Sequence, residues 1–182
     1  MKGTFYIIAI LLFSLPNILS AQKKANLDRI EIGMIAPEIE LPTVDGDIIK
    51  LSQLNGKLVL VNFWASWCAP CRKKTPELLK IFNNFKDASF KDGEKGIEIV
   101  SVSMDRNKIA WKNSIEKDGI GDFLNVGDMK GWKCSAATSY NIKSIPSSIL
   151  IDGKGKIIAI NLSTKDLKKK LKQMKKSSWL WF

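Results

Sequence analysis

Two nearly unbroken apolar runs, Leu58 to Trp64 and Gly96 to Met104, stand out in a chain that elsewhere mixes apolar and charged positions. A strand covered on both faces reads as a continuous apolar run, so both are expected inside a mixed sheet. Between them, from about Ala69 to Phe85, Leu78, Leu79, Ile81, Phe82 and Phe85 recur at spacings of three and four. That period predicts a helix with one core face, kinked at Pro76, where a backbone donor is missing. Asp105 is expected to cap a shorter helix over Ile109 to Ile115. Leu167, Leu171 and Met174 form the apolar stripe of a lysine-rich last helix from about Lys165 to Lys176.

The shorter segments read as strands and turns. Ile35, Ile39 and Leu41 share one face of an extended segment, Asp45-Gly46 signals a hairpin returning through Ile48 and Ile49, and Asn55-Gly56 marks a turn. Ser147 to Asp152 and Lys156 to Leu162, joined at Gly153-Lys154-Gly155, are expected to form an antiparallel edge. Gly119 to Trp132 carries four glycines and reads as a loop, followed by Cys134 on a short helix reaching Tyr140.

Residues 1–21 hold a single charge, Lys2, then the apolar run Phe5 to Phe13, a break at Pro16, and Ser20-Ala21 before Gln22. This is the pattern of a secretory signal peptide cleaved after Ala21; a retained anchor is the competing reading, but the run is shorter than the roughly 20 residues that span a bilayer. With no cysteine before Cys68, an N-terminal lipidated cysteine is excluded. Residues 22–32 then read as a linker, 33–176 as one domain and 177–182 as an apolar tail. That tail, Trp179-Leu180-Trp181-Phe182, could fold back on the core, meet a partner or sit at a membrane surface beside the lysines. The net charge of +11 raises the question of nucleic acid. The export signal argues against it, leaving a solvated lysine surface or attraction to anionic membranes or acidic partners.

The chemistry concentrates at Trp67-Cys68-Ala69-Pro70-Cys71. Two cysteines this close at a helix start can close a small disulfide, and the first thiol meets the unpaired N–H groups and positive end of the helix. Both favour a thiolate, and the second thiol can resolve a mixed disulfide. The chain has no His and three Cys, and Arg72 stands where covalent haem attachment needs His. Metal, haem and other cofactors are therefore not expected. Cys134 reads as a buried apolar thiol, the alternative being a third redox thiol with its sulfur exposed near Cys68 or a partner chain.

Val61 to Arg72 with Pro76, together with Ile145-Pro146-Ser147-Ser148-Ile149-Leu150-Ile151-Asp152, resembles the thioredoxin superfamily, and within it the secreted TlpA/ResA-type thiol-disulfide oxidoreductases. The resemblance covers about Ile32 to Lys172. It implies an α/β thioredoxin-like fold, with a central mixed sheet flanked by helices, an N-terminal β-hairpin and an insertion before the strand that follows a cis proline at Pro146. It also implies that Cys68 is the nucleophile and Cys71 the resolving thiol. Ala69 and Pro70 would tune the site, Trp67 would shape its rim, and Trp67, Ile145 and Pro146 would meet the substrate. Protein disulfides of the periplasm or cell envelope would be the substrates and a membrane electron donor the partner. Cytochrome c maturation and general reduction of exported thiols are both roles within this family.

One departure concerns the proton acceptor for Cys71. Positions where relatives carry an acid hold Asn62, Ala69 and Lys74, so the base stays unassigned. A thiol peroxidase would place Thr and Pro where Ala65 and Val61 stand, which argues against peroxide reduction. A binding module with a vestigial dithiol is the remaining alternative, and retained Cys68, Cys71 and Pro146 weigh against it.

Overall fold

The computed structural model describes residues 30–176. The expected signal peptide and the apolar tail from 177 onward lie outside the described residues. At the centre is a five-stranded sheet of order β5-β4-β3-β6-β7, with β3 Leu58–Trp64, β4 Ile97–Ser103, β5 Leu124–Val126, β6 Ser147–Ile151 and β7 Ile157–Ile160. The pairs β3–β4 and β4–β5 are parallel, whereas β3–β6 and β6–β7 are antiparallel. The mixed sheet and its antiparallel edge thus agree with the sequence reading. Strand β3 is apolar because it is central: Leu58 to Val61, Phe63 and Trp64 are buried, and Asn62 alone interrupts the run.

Helix α1 spans Ala69–Phe85 and buries Leu78, Ile81, Phe82 and Phe85, while Leu79 is only half-buried, outside the stripe expected to include it. It continues through Pro76 without ending. Helix α2, Lys108–Asp118, is longer than its apolar run, and its cap is Asn107, whose Oδ1 accepts from the N–H groups of Ile109 and Ala110 at 2.9 and 3.0 Å. Asp105, expected in that role, does something else. The last helix, Thr164–Met174, buries Leu167 and Leu171 and ends before Lys176, with Met174 half-buried.

The N-terminal hairpin pairs β1 Glu40–Pro42 with β2 Ile48–Lys50. Ile39 and Leu41 are buried as expected, but Ile35 is 69 % exposed, because the chain there makes only an isolated bridge to Lys156 and is not yet a strand. The largest correction falls on Gly119 to Trp132. Its Leu124–Val126 is an edge strand, joined on its outer side to the hairpin by a Thr43–Val126 bridge and a 2.9 Å bond from Gly127 N–H to the Pro42 carbonyl. Three residues are too few to carry a period. The hairpin therefore protects what would be an open sheet edge. The short helix after Cys134, α3, spans Ser135–Ser139, and Tyr140 follows it with its hydroxyl donating to the Pro37 carbonyl at 2.7 Å.

Candidate active site

The site sits where β3 ends. Strand β3 runs out at Trp64, a tight turn follows with Cys68 N–H donating to the Ala65 carbonyl at 3.0 Å, and α1 begins at Ala69. Cys68 occupies the N-cap in extended conformation, and the Cys71 N–H points at its sulfur at 3.3 Å. One of the unpaired amides of the helix start is thus satisfied by the sulfur itself. Pro70 lies in the first turn, where its missing donor costs nothing. Cys68 and Cys71 are joined as a disulfide across a Cα separation of 5.3 Å. Each is 5 % exposed; Cys68 holds the N-cap, and Cys71 lies inside the first turn of α1.

Around the disulfide, Ala69 and Pro70 are exposed and Trp67 is 58 % exposed. The Ile145–Pro146 peptide is cis. Pro146 immediately precedes Ser147, which pairs with Phe63 at the far end of β3, so it reaches the same corner of the sheet as the CxxC turn. Ile145 and Pro146 are both half-buried.

Asn62 and Lys74 line one small cavity with Pro146, Ser147 and Ser148, about 40 Å³ in volume. Two of the three positions singled out as lacking an acid thus flank the proline, and no carboxylate lines the cavity. Arg72, next to Cys71, is turned away into a two-pronged ion pair with Asp118 of α2, Nε to Oδ2 at 2.7 Å. Donating to that carboxylate, and its negative charge, raise the guanidinium pKa further.

Sequence reasoning missed Asp105. It is 1 % exposed, and its carboxylate accepts from Ser66 N–H at 3.0 Å, Ser66 Oγ at 2.6 Å and Ser103 Oγ at 2.8 Å. It therefore ties the turn that carries Trp67 and Cys68 to the end of the neighbouring strand. The available signal was its place just after a parallel strand, at the carboxyl edge where α/β sheets gather functional loops. Cys134 is buried, and burial pushes its thiol pKa upward, which keeps it neutral and inert. Among the described residues no group of His, Cys, Asp and Glu has the arrangement of a metal site, and no helix is long and apolar enough to cross a membrane.

A CxxC disulfide at the head of a helix leaving the central strand, with a cis proline arriving at the same corner, defines a dithiol–disulfide site on a thioredoxin-like fold. The family described as Thioredoxin-like matches residues 55–158. The chain is 34 % identical over 134 residues to the thiol-disulfide oxidoreductase ResA of Bacillus thuringiensis (strain Al Hakam), covering 74 % of this chain and 71 % of that protein. It is 33 % identical over 140 residues to ResA of Bacillus subtilis (strain 168), covering 77 % and 72 %. The thioredoxin domain of a thiol-disulfide oxidoreductase from Bacteroides vulgatus superposes with a TM-score of 0.70 at 36 % identity, covering 80 % of this chain and 98 % of that one. The chain belongs to the thioredoxin-like family of thiol-disulfide oxidoreductases, with ResA among its relatives. Its activity is dithiol–disulfide exchange on protein thiols and disulfides.

Proposed function

We propose that this protein is an exported reductase of protein disulfides, with Cys68 as the attacking thiol and Cys71 as the resolving one. The observation that carries this reading is the Cys68 sulfur at the N-cap of α1, accepting from Cys71 N–H. A thiolate there faces aligned N–H groups and the positive end of the helix, so its pKa falls and its population at neutral pH rises. In the reduced protein the Cys68 thiolate attacks one sulfur of a substrate disulfide; a Cys68–substrate bond forms and the other substrate sulfur leaves as a thiolate that takes up a proton. Cys71, once deprotonated, attacks the Cys68 sulfur, closes the internal disulfide and releases the second substrate thiol. Two electrons pass from the protein dithiol to the substrate.

Trp67 forms the rim of the site, Ala69 and Pro70 fix the turn between the sulfurs, and Ile145 and Pro146 align the substrate segment. At the cavity beside Pro146, Asn62 and Lys74 supply no carboxylate to accept the Cys71 proton. The apolar run Phe5 to Phe13 supports export to the cell envelope. There an oxidising environment requires an electron supply from the membrane to restore the dithiol. The aromatic sequence Trp179-Leu180-Trp181-Phe182, following a lysine-rich segment in the chain, supports peripheral contact with that membrane.

Variants test the roles. Cys71→Ser is expected to accumulate mixed disulfides with substrate proteins, and Cys68→Ser to lose exchange altogether; equal residual activity in the two would refute the assignment. Equilibration of the wild type in glutathione buffers gives the direction: about −250 mV or lower fits a reductase, and a value near about −120 mV makes the protein an oxidant instead.

A further inference from the structure

Three parallel strands, β3, β4 and β5, end on the same side of the sheet, and the loops that leave them converge. Between those loops lies an open groove of about 450 Å³, beginning at Ser66 and Trp67 beside Cys68 and running past Arg106 to Trp132. Both tryptophans are largely uncovered, Trp132 at 45 % exposure. A single exposed aromatic needs no explanation, but two lining one groove next to a reactive disulfide do.

The electrostatics of the groove reduce to one group. Asp105 is there, but its carboxylate is taken up by Ser66 and Ser103. The start of α2 is there, but Asn107 already accepts from its first free amides. Arg106 is exposed and makes no hydrogen bond or ion pair among the described residues. It is nonetheless held in place: its side chain lies across Gly131, where a Cβ would meet its Nε at 2.8 Å and its Cγ at 3.2 Å. Gly131 has a φ of 59°, a conformation that also favours glycine. The uncommitted charge of the groove is thus one positioned guanidinium, suited to a carboxylate.

We propose that this groove receives the substrate segment flanking the reactive cysteine, with an Asp or Glu side chain on Arg106 and an apolar side chain against the Trp67 and Trp132 rings. The proposal rests on the exchange reading given above and adds the class of polypeptide the site selects. Its preferred substrates carry a carboxylate within a few residues of the disulfide.

The test compares two peptide disulfides that differ only in Glu or Gln three residues from the cysteine, with second-order rate constants for their reduction by the reduced protein. The wild type is expected to favour the Glu peptide by about tenfold, the size of one charge-assisted hydrogen bond. In Arg106→Gln that ratio is expected to fall to about one. Long-range attraction by a basic protein would also favour the acidic peptide, so Lys154→Gln serves as a charge-matched control; Lys154 lines a separate cavity with Asn55 and Val59 near the opposite end of β3. It is expected to keep the ratio. Trp132→Ala is expected to slow both peptides and leave the ratio intact. A wild-type ratio near one, a ratio that survives Arg106→Gln, or one that falls equally in Lys154→Gln overturns the proposal. Reduction of neither peptide by the wild type refutes the exchange reading itself, and the groove proposal with it.

Discussion

Asp105 shows how a single side chain can matter to thiol chemistry without touching sulfur. Two of its three accepted hydrogen bonds hold Ser66, two residues before Cys68, and the third comes from Ser103 at the end of β4. Asp105→Ala would leave the Ser66 amide and two hydroxyls without their acceptor, at a cost of roughly 1–3 kcal/mol where such groups are buried. A lower urea midpoint for Asp105→Ala, with a slower exchange rate, is the expected result; Asp105→Asn should recover most of the stability because it keeps an acceptor in place. An unchanged midpoint for Asp105→Ala would mean that the turn is held by its backbone alone. The sequence places Asp105 just after a strand but does not name its partners. Asp and Asn are both good caps, and the two-residue step from Asp105 to Asn107 has no signature. The side chain that faces Ser66 is decided by the register of β3 against β4, in which Trp64 pairs with Ser103.

Among the elements, those with long apolar runs or a clear helical period were legible: β3, β4, α1, β6 and the last helix. Strand β5 was not, because a Leu-Asn-Val triplet is specified by its neighbours on both sides and by no period of its own. The register of β3 on β4 is fixed at its entry by Gly96, whose carbonyl accepts from Leu58 N–H at 3.0 Å and whose N–H donates to Ala88 at 2.7 Å. Gly96 has a φ of 81°, and a Cβ there would lie 1.9 Å from the Lys86 carbonyl oxygen. Backbone cannot yield as a flexible side chain does. Gly96→Ala is therefore expected to destabilise by about 3 kcal/mol or more, with urea unfolding as the check. A milder effect belongs to the tie between α1 and α2. Asp118→Asn removes the charge that faces Arg72 and is expected to cost up to about 1 kcal/mol, since the pair is partly exposed to solvent. A double-mutant cycle with Arg72→Gln isolates that coupling.

At the scale of the whole molecule, the segment between β5 and β6 acts as a clamp. It presents Trp132 to the groove, buries Cys134, and ends at Tyr140, whose ring packs on Phe63 of the central strand with centroids 5.7 Å apart and whose hydroxyl holds Pro37 ahead of the hairpin. Two acidic groups are thus buried in neutral form, and burial, the main cause for each, raises the pKa of the Cys134 thiol and of the Tyr140 phenol. A group whose pKa is raised on folding binds more protons in the native state than in the unfolded one once the pH passes the unfolded value. Stability from both groups is therefore complete below their unfolded pKa values, about 8.5 for a thiol and about 10 for a phenol, and is lost as the pH climbs toward the folded ones. Each group can tilt the stability curve downward by at most about 1.4 kcal/mol per pH unit within its window. Urea midpoints of the oxidised protein measured from pH 7 to 11 are expected to fall from about pH 8.5. Cys134→Ala should remove the earlier part of that decline and Tyr140→Phe the later part, whatever each substitution does to the neutral-pH baseline. A decline of unchanged steepness in both variants would assign the alkaline loss to the lysines and their changing charge, and would mean that the clamp opens to water before either proton leaves.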